Sequence, residues 1–163
     1  MVKTSWLIEF KRETKKLVNK SKGFWYQHNQ NSLKTLLRTG IGSCIAWSLL
    51  AMDIAKKINL TIYLIVLRKP GNRWVRHQIS LVIESNGNVY LQSGIFATKL
   101  RIKLSDSADK KQLIYTLTKC ARKCSKRYKR AQIDWLVKFK HGQKTTILDC
   151  KINSSWKKYC SKS

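Results

Sequence analysis

The stretch that decides the fold runs from residue 42 to residue 92: GSCIAWSLLAMDIAKKINLTIYLIVLRKPGNRWVRHQISLVIESNGNVYLQ. Its first part, Cys44–Ile58, is apolar nearly all round, with Leu49, Leu50, Met52, Ile54 and Ile58 covering most of a helix circumference. A helix apolar on every side belongs in the centre of a fold. Lys56 and Lys57 near its end suit the helix dipole. Thr61–Leu67 is β-branched and aromatic and reads as a buried strand. Lys69-Pro70-Gly71-Asn72 is a turn, Val75–Glu84 a second strand, and Ser85-Asn86-Gly87-Asn88 a hairpin turn whose Asn-Gly supplies positive φ angles. Val89–Gln92 is a third strand.

Working outward, Thr98–Leu104 reads as a fourth strand, Ser5–Asn19 as a first helix, and Ser32–Arg38 as a short helix. Residues 21–31 are polar and aromatic and read as a loop. Asp106 or Ser107 caps a helix running to about Arg130, with Leu113, Ile114, Leu117, Cys120, Ala121 and Cys124 on one face. Ile133, Trp135, Val137 and Phe139 alternate as a strand. After a His141-Gly142 turn, Thr146, Leu148, Cys150 and Ile152 alternate back. The expected class is α+β: a buried central helix packed on an antiparallel sheet, then a basic helix and hairpin. A chain of 163 residues fits one domain over 1–163, with its core at 32–104 and the basic helix and hairpin at 105–163.

The charge is extreme. Lys and Arg number 34 against 8 Asp and Glu, a net of +26, while 43% apolar residues speak against disorder. Self-repulsion at that charge destabilises a compact state unless an anion screens it. Nucleic acid, an anionic membrane surface, an acidic wall polymer and an acidic peptide all qualify as the anionic partner. Lys119, Arg122, Lys123, Lys126, Arg127, Lys129 and Arg130 form the expected polyanion-binding face, with Tyr128, Trp135 and Trp156 near enough to stack on bases. No helix-turn-helix, zinc-finger or RNA-binding signature, Gly-rich phosphate loop or metal-carboxylate motif is visible, and no cofactor is expected. The longest apolar segment, Ile41–Ala55, is broken by Ser43, Ser48 and Asp53 and falls short of the ~20 residues of a membrane span.

Five cysteines are present, at 44, 120, 124, 150 and 160. With no apolar leader at the N-terminus, the thiols read as mostly free and the location as cytoplasmic. Cys120 and Cys124, one turn apart, favour burial over a four-thiol metal site with Cys150 and Cys160.

Cys44 follows a Gly-x-Gly bend and opens the central helix, where the dipole and free N–H groups favour a thiolate and offer an oxyanion hole. His77 opens the second strand and is the candidate base. Gln92 at the end of the third strand is the first candidate to orient the imidazole, and Asn88 the second. Each residue alone reads more readily as packing; the joint pattern points to thiol chemistry on a peptide or protein substrate, with Arg68 and Arg76 binding an acidic substrate.

The segments 42–50, 64–68, 77–84 and 86–89 together resemble the core of transglutaminase-like cysteine peptidases, and most of all the subgroup that cleaves leader peptides in lasso-peptide maturation. In that family a Cys opens the core helix, a strand ending in Val-Arg follows, and a His opens a strand ending in Glu. The resemblance spans residues 40–94 and implies a papain-like fold with thiol hydrolysis or acyl transfer. The family's acidic third residue falls at or beside Gln92-Ser93, and its Trp two places after the His is Ile79 here. Two alternatives stand beside the enzyme: a basic nucleic-acid-binding protein without chemistry, and a papain-like fold used for protein binding alone.

Overall fold

The computed structural model of the chain describes residues 5–69, 72–105, 109–124 and 132–150. Three helices lead: α1 (Trp6–Lys20), α2 (Leu33–Thr39) and α3 (Cys44–Lys57). Each starts where a serine stands ready, because the hydroxyls of Ser5, Ser32 and Ser43 accept from the N–H three residues on. Four strands follow: β1 (Thr61–Lys69), β2 (Asn72–Ile83), β3 (Asn88–Ser93) and β4 (Phe96–Lys103). After α4 (Lys110–Cys124), a hairpin of β5 (Gln132–Lys140) and β6 (Gln143–Asp149) completes the described elements. The class is α+β, as the sequence leads one to expect. The expected caps Asp106 and Ser107 lie outside the described residues, and α4 is described only to Cys124.

All six strands form one antiparallel sheet in the order β4-β3-β2-β1-β5-β6. The C-terminal hairpin is therefore part of the core sheet, docked on β1, rather than an appendage to it. This placement explains why the middle of β1, residues 62–67, is apolar: it lies at the centre of the sheet and is covered on both faces. Ile62 and Leu64 face α1 and α3, joining a core of Trp6, Phe10, Trp47 and Leu50. Tyr63, Ile65 and Leu67 face the other way, beneath Leu113, Ile114 and Leu117 of α4. Trp6 is wholly buried, donates from Nε1 to the Ala51 carbonyl at 3.1 Å, and stacks on Phe10 with ring centroids 4.9 Å apart. Among the described residues no helix is long and apolar enough to cross a membrane.

The two glycines before α3 are needed for packing. Gly40 ends α2 with φ +75°, and a Cβ there would lie 2.1 Å from the Leu17 carbonyl oxygen. At Gly42 a Cβ would lie 2.8 Å from that of Ala46. Gly142, in the β5–β6 turn, has the same φ of +75° but open space around it. Gly142→Ala is thus expected to cost about 1–2 kcal/mol, the left-handed penalty alone. Gly40→Ala carries that penalty plus a backbone clash and should cost at least twice as much. Urea unfolding midpoints of the two variants measure the difference; equal losses would contradict this account of Gly40.

Candidate functional site

Cys44 occupies the first position of α3, half-buried and a free thiol. Its approach is built by the loop at 25–31. Gly42 N donates to the Trp25 carbonyl at 3.1 Å and Ser43 N to the Gln30 carbonyl at 2.9 Å. The Ser43 hydroxyl also donates to Asn31 Oδ1 at 2.6 Å, and Trp47 Nε1 donates to the Trp25 carbonyl at 3.0 Å. Two of the N–H groups beside Cys44 are thereby satisfied within the protein. The bend before Cys44 is packed against Ala46 and Leu36, which lie where a side chain at position 42 would stand.

His77 sits on β2, and the register there is unbroken from Arg76 to Ile83 against β1. Alternate residues of a strand face opposite sides of the sheet. Val82 belongs to the core under α1 and α3, whereas Ile79, Leu81 and Ile83 belong to the core under α4. His77 has the parity of the second set and lies on the α4 face. Its Nε2 is 2.8 Å from Ser93 Oγ, which shares that face with Val89 and Leu91. Cys44 begins the helix on the other face. Alternation thus gives the expected partners Cys44 and His77 to opposite faces of the sheet, and the β2 side chain it turns toward α3 at this level is that of Gln78.

Gln92 also departs from its expected role. It is wholly buried on the α3 face, where Oε1 accepts from Ser80 Oγ at 2.7 Å and Ser48 Oγ at 3.4 Å. Its Nε2 donates to the Gly94 carbonyl at 2.7 Å. The group that touches the imidazole is Ser93, one residue on and on the opposite face. Asn88 begins β3 at its far end, opposite Lys103. Gln92 instead ties α3 to β2 and β3.

The two arginines assigned to substrate have an internal partner. Arg68 and Arg76 are directly opposed across β1 and β2, a like-charge pairing that costs stability unless neutralised. Asp134 supplies the counter-charge, 3.6 Å from Arg68 and 3.4 Å from Arg76. It is the extra residue of a β5 bulge, since Val66 pairs with Trp135 and Leu67 with Ile133. Sequence reading missed Asp134, although an acid in so basic a chain is itself a signal.

Of the expected polyanion face, Lys119 is exposed, with its Nζ 4.6 Å from the Tyr115 ring centroid. Arg122 and Lys123 belong to α4, but their side chains, and residues 126, 127, 128, 129, 130 and 156 altogether, lie outside the described part of the chain. Trp135 is half-buried on β5, with Lys144 Nζ 5.8 Å from its ring. Cys150 is disulfide-bonded and Cys44 is free, while the expectation of mostly free thiols falls otherwise on side chains outside the described part of the chain. Among the described residues no cluster of His, Cys, Asp or Glu is arranged to hold a metal ion.

A different constellation lies at the β4 edge. Lys99, Arg101 and Lys103 stand at alternate positions of β4 and are all exposed, and the pairing with β3 shifts register between Lys99 and Lys103. α1 packs beside β4 and exposes Lys11, Lys15, Lys16 and Lys20. At the head of β4 stand exposed aromatics: Phe96 (65% exposed), Phe24 (77%) and Tyr26 (49%). Trp25 brings Tyr26 and Phe96 together, its ring edge-on to Tyr26 at 5.9 Å and to Phe96 at 6.1 Å, and Phe24 precedes it in the chain. On the inner side Tyr90 is opposite Lys99. Burial, and then the Glu84 carboxylate, raises its phenol above the ordinary 10.0, so the unfolded chain ionises first and stability falls as pH rises beyond that value.

Comparison with protein-family models, curated proteins and solved structures returns no match, so the geometry of this chain carries the functional argument.

Two outcomes check the placement of these residues. Gln92→Leu strands the Ser80 hydroxyl in the core and should cost about 1–3 kcal/mol in chemical denaturation; an unchanged midpoint would contradict the connector role. His77→Ala should leave the rate of Cys44 alkylation by iodoacetamide unchanged, read by mass spectrometry at Cys44. A manyfold drop would place the imidazole beside the thiol after all.

Proposed function

We propose that this chain is a non-enzymatic nucleic-acid-binding domain that holds single strands along β4, with the aromatics at its head as a stacking platform. The observation that carries the reading is the row of exposed cations running from the exposed aromatic cluster. Single-strand binders combine a positive track for the backbone with rings on which bases stack, without needing sequence readout. The acids support it by their whereabouts. Glu9 is taken by Arg12, Glu13 by Lys16 and Asp53 by Lys57, each one turn away on its own helix, and Asp134 by Arg68 and Arg76. Even if all 8 acids were paired one to one, 26 of the 34 cations would remain.

On this reading the helix-on-sheet arrangement around α3 is a transglutaminase-like scaffold that serves binding. A Cys44-dependent peptidase or acyltransferase keeps one support, the half-buried free thiol at the first position of α3. Strand alternation turns its expected base, His77, to the face of the sheet away from α3.

Fluorescence anisotropy with a labelled oligothymidylate tests the proposal. Affinity should fall steeply with salt, and replacing Lys99, Arg101 and Lys103 by Glu should flatten the log–log slope by roughly 2, at about 0.7 for each phosphate no longer neutralised. Phe96→Ala should weaken binding by about fivefold or more at unchanged slope, the loss of one stacked base. Cys44→Ala should bind like the parent. Salt-independent binding, or variants at β4 that bind like the parent, would sink the reading.

A further inference from the structure

The row of cations on β4 ends at Lys103, and there a cavity of about 550 Å³ opens at the end of the sheet. That volume is within the ~300–1,000 Å³ of small-molecule sites. The turn between α3 and β1, the β2–β3 hairpin turn and the close of β4 surround it. Leu60, Ile83 and Leu104 give it apolar surface, and Ile83 and Leu104 belong to the core beneath α4. Glu84 is the only acid among the described lining residues.

The backbone that presents Glu84 and Lys103 is fixed. The Gly87 carbonyl accepts from the Leu104 N–H at 3.1 Å, which binds the end of β4 to the hairpin turn. Within that turn the Glu84 N–H donates to the Asn88 carbonyl, and the Glu84 carbonyl accepts from the Gly87 N–H, both at 2.9 Å. The side chains of Glu84 and Lys103 nevertheless form no ion pair, for the ion pairs of the described residues engage Glu9, Glu13, Asp53 and Asp134. Glu84 Oε1 is buried and has no hydrogen-bond partner. A carboxylate oxygen buried without a donor costs stability. The terminal torsion of a glutamate is broad, so the carboxylate can turn to meet donors seated in the cavity.

We infer that this cavity takes a guanine of the bound strand, with Glu84 accepting from its N1–H and N2–H and Lys103 holding a neighbouring phosphate. The inference rests on the nucleic-acid reading and adds a base preference to it. An ionised carboxylate only accepts, through both of its oxygens. Guanine alone among the bases places two donors side by side on its pairing edge. Adenine, cytosine and thymine each set an acceptor beside their donor, which a carboxylate repels. Unstacked bases of single strands are read on that edge. Lys103 makes the two features one surface, since it belongs to the β4 row and lines the cavity. Lys140, the other lysine of the lining, has an interaction of its own and is assigned no part.

The experiment measures the full chain by fluorescence anisotropy against a plain labelled oligothymidylate and against the same strand carrying guanine, adenine or hypoxanthine as its terminal base, each end in turn. At one of the ends guanine should bind at least about fivefold more tightly than adenine, the low end of what a bidentate base contact discriminates. Adenine controls for stacking, being of similar size. Hypoxanthine lacks the N2 amine and should lose most of the gain. Glu84→Gln keeps the size of the side chain but sets an amide donor against guanine, so the guanine-to-adenine ratio should fall to about one or below. Binding of the plain strand should persist in that variant, which reports an intact fold. Equal affinity for guanine and adenine at both ends, or a guanine preference that survives in Glu84→Gln, would overturn the pocket and leave the β4 reading standing. A plain oligothymidylate that failed to bind the parent chain would instead overturn the β4 reading, and this one with it.

Discussion

Burial of one sheet on both faces is the constraint from which the rest of this structure follows. With α1 and α3 on one side and α4 on the other, the buried apolar side chains of β1, β2 and β3 in these clusters divide between two separate cores. Alternation then decides which residues can meet, and no local flexibility alters it without moving a whole strand's hydrophobic set to the wrong face. Ser48, Ser80 and Gln92 meet because all three point into the α3 layer. His77 and Ser93 meet because both point into the other. The same rule separates His77 from Cys44, although the two are close along the chain and at the same end of the sheet.

This separation also shows what could be read from the sequence and what could not. The elements were legible because periodicity and capping are local. Ser5, Ser32 and Ser43 cap the helices they precede, the all-round apolar run at 44–58 is the central helix, and Asn86-Gly87 makes the turn between β2 and β3. The site was not legible in the same way. Choosing between His77 and Gln78 for the face toward α3 requires the register, and a shift of one position exchanges them. Gln92 is expected from the sequence to orient the imidazole, whereas the groups it bonds are the Ser48 and Ser80 hydroxyls and the Gly94 carbonyl. The bulge that turns Asp134 toward Arg68 and Arg76 depends on pairing with β1, distant in sequence, and no short-range pattern announces it.

The distribution of charge follows from the same architecture. Both cores exclude cations, so the surplus is confined to helix surfaces, turns and the sheet's edges. β4 has a neighbour on one side only, and Lys99, Arg101 and Lys103 stay exposed on it although α1 packs beside it. Cationic residues on an edge strand also oppose pairing with a second copy of the sheet, which an apolar edge would invite. The basic row on β4 therefore has a structural benefit independent of any ligand, and the exposed rings of Phe24, Tyr26 and Phe96 are what distinguish a binding surface from a merely protected edge.

Exposed aromatic rings do not protect an edge; they work against solubility unless a partner covers them some of the time. Trp25 holds this cluster in place, being anchored through its carbonyl to the Trp47 indole and to Gly42, the same backbone that leads into α3. The loop that occupies the approach to Cys44 is thus the loop that presents the aromatics to β4. In a thiol enzyme of this architecture that approach would have to stay open for substrate. Here the loop's hydrogen bonds to Gly42 and Ser43 fix it beside the half-buried Cys44. The same bonds set Trp25 against Phe96, so one piece of backbone determines both the surroundings of the thiol and the aromatic cluster at the head of β4.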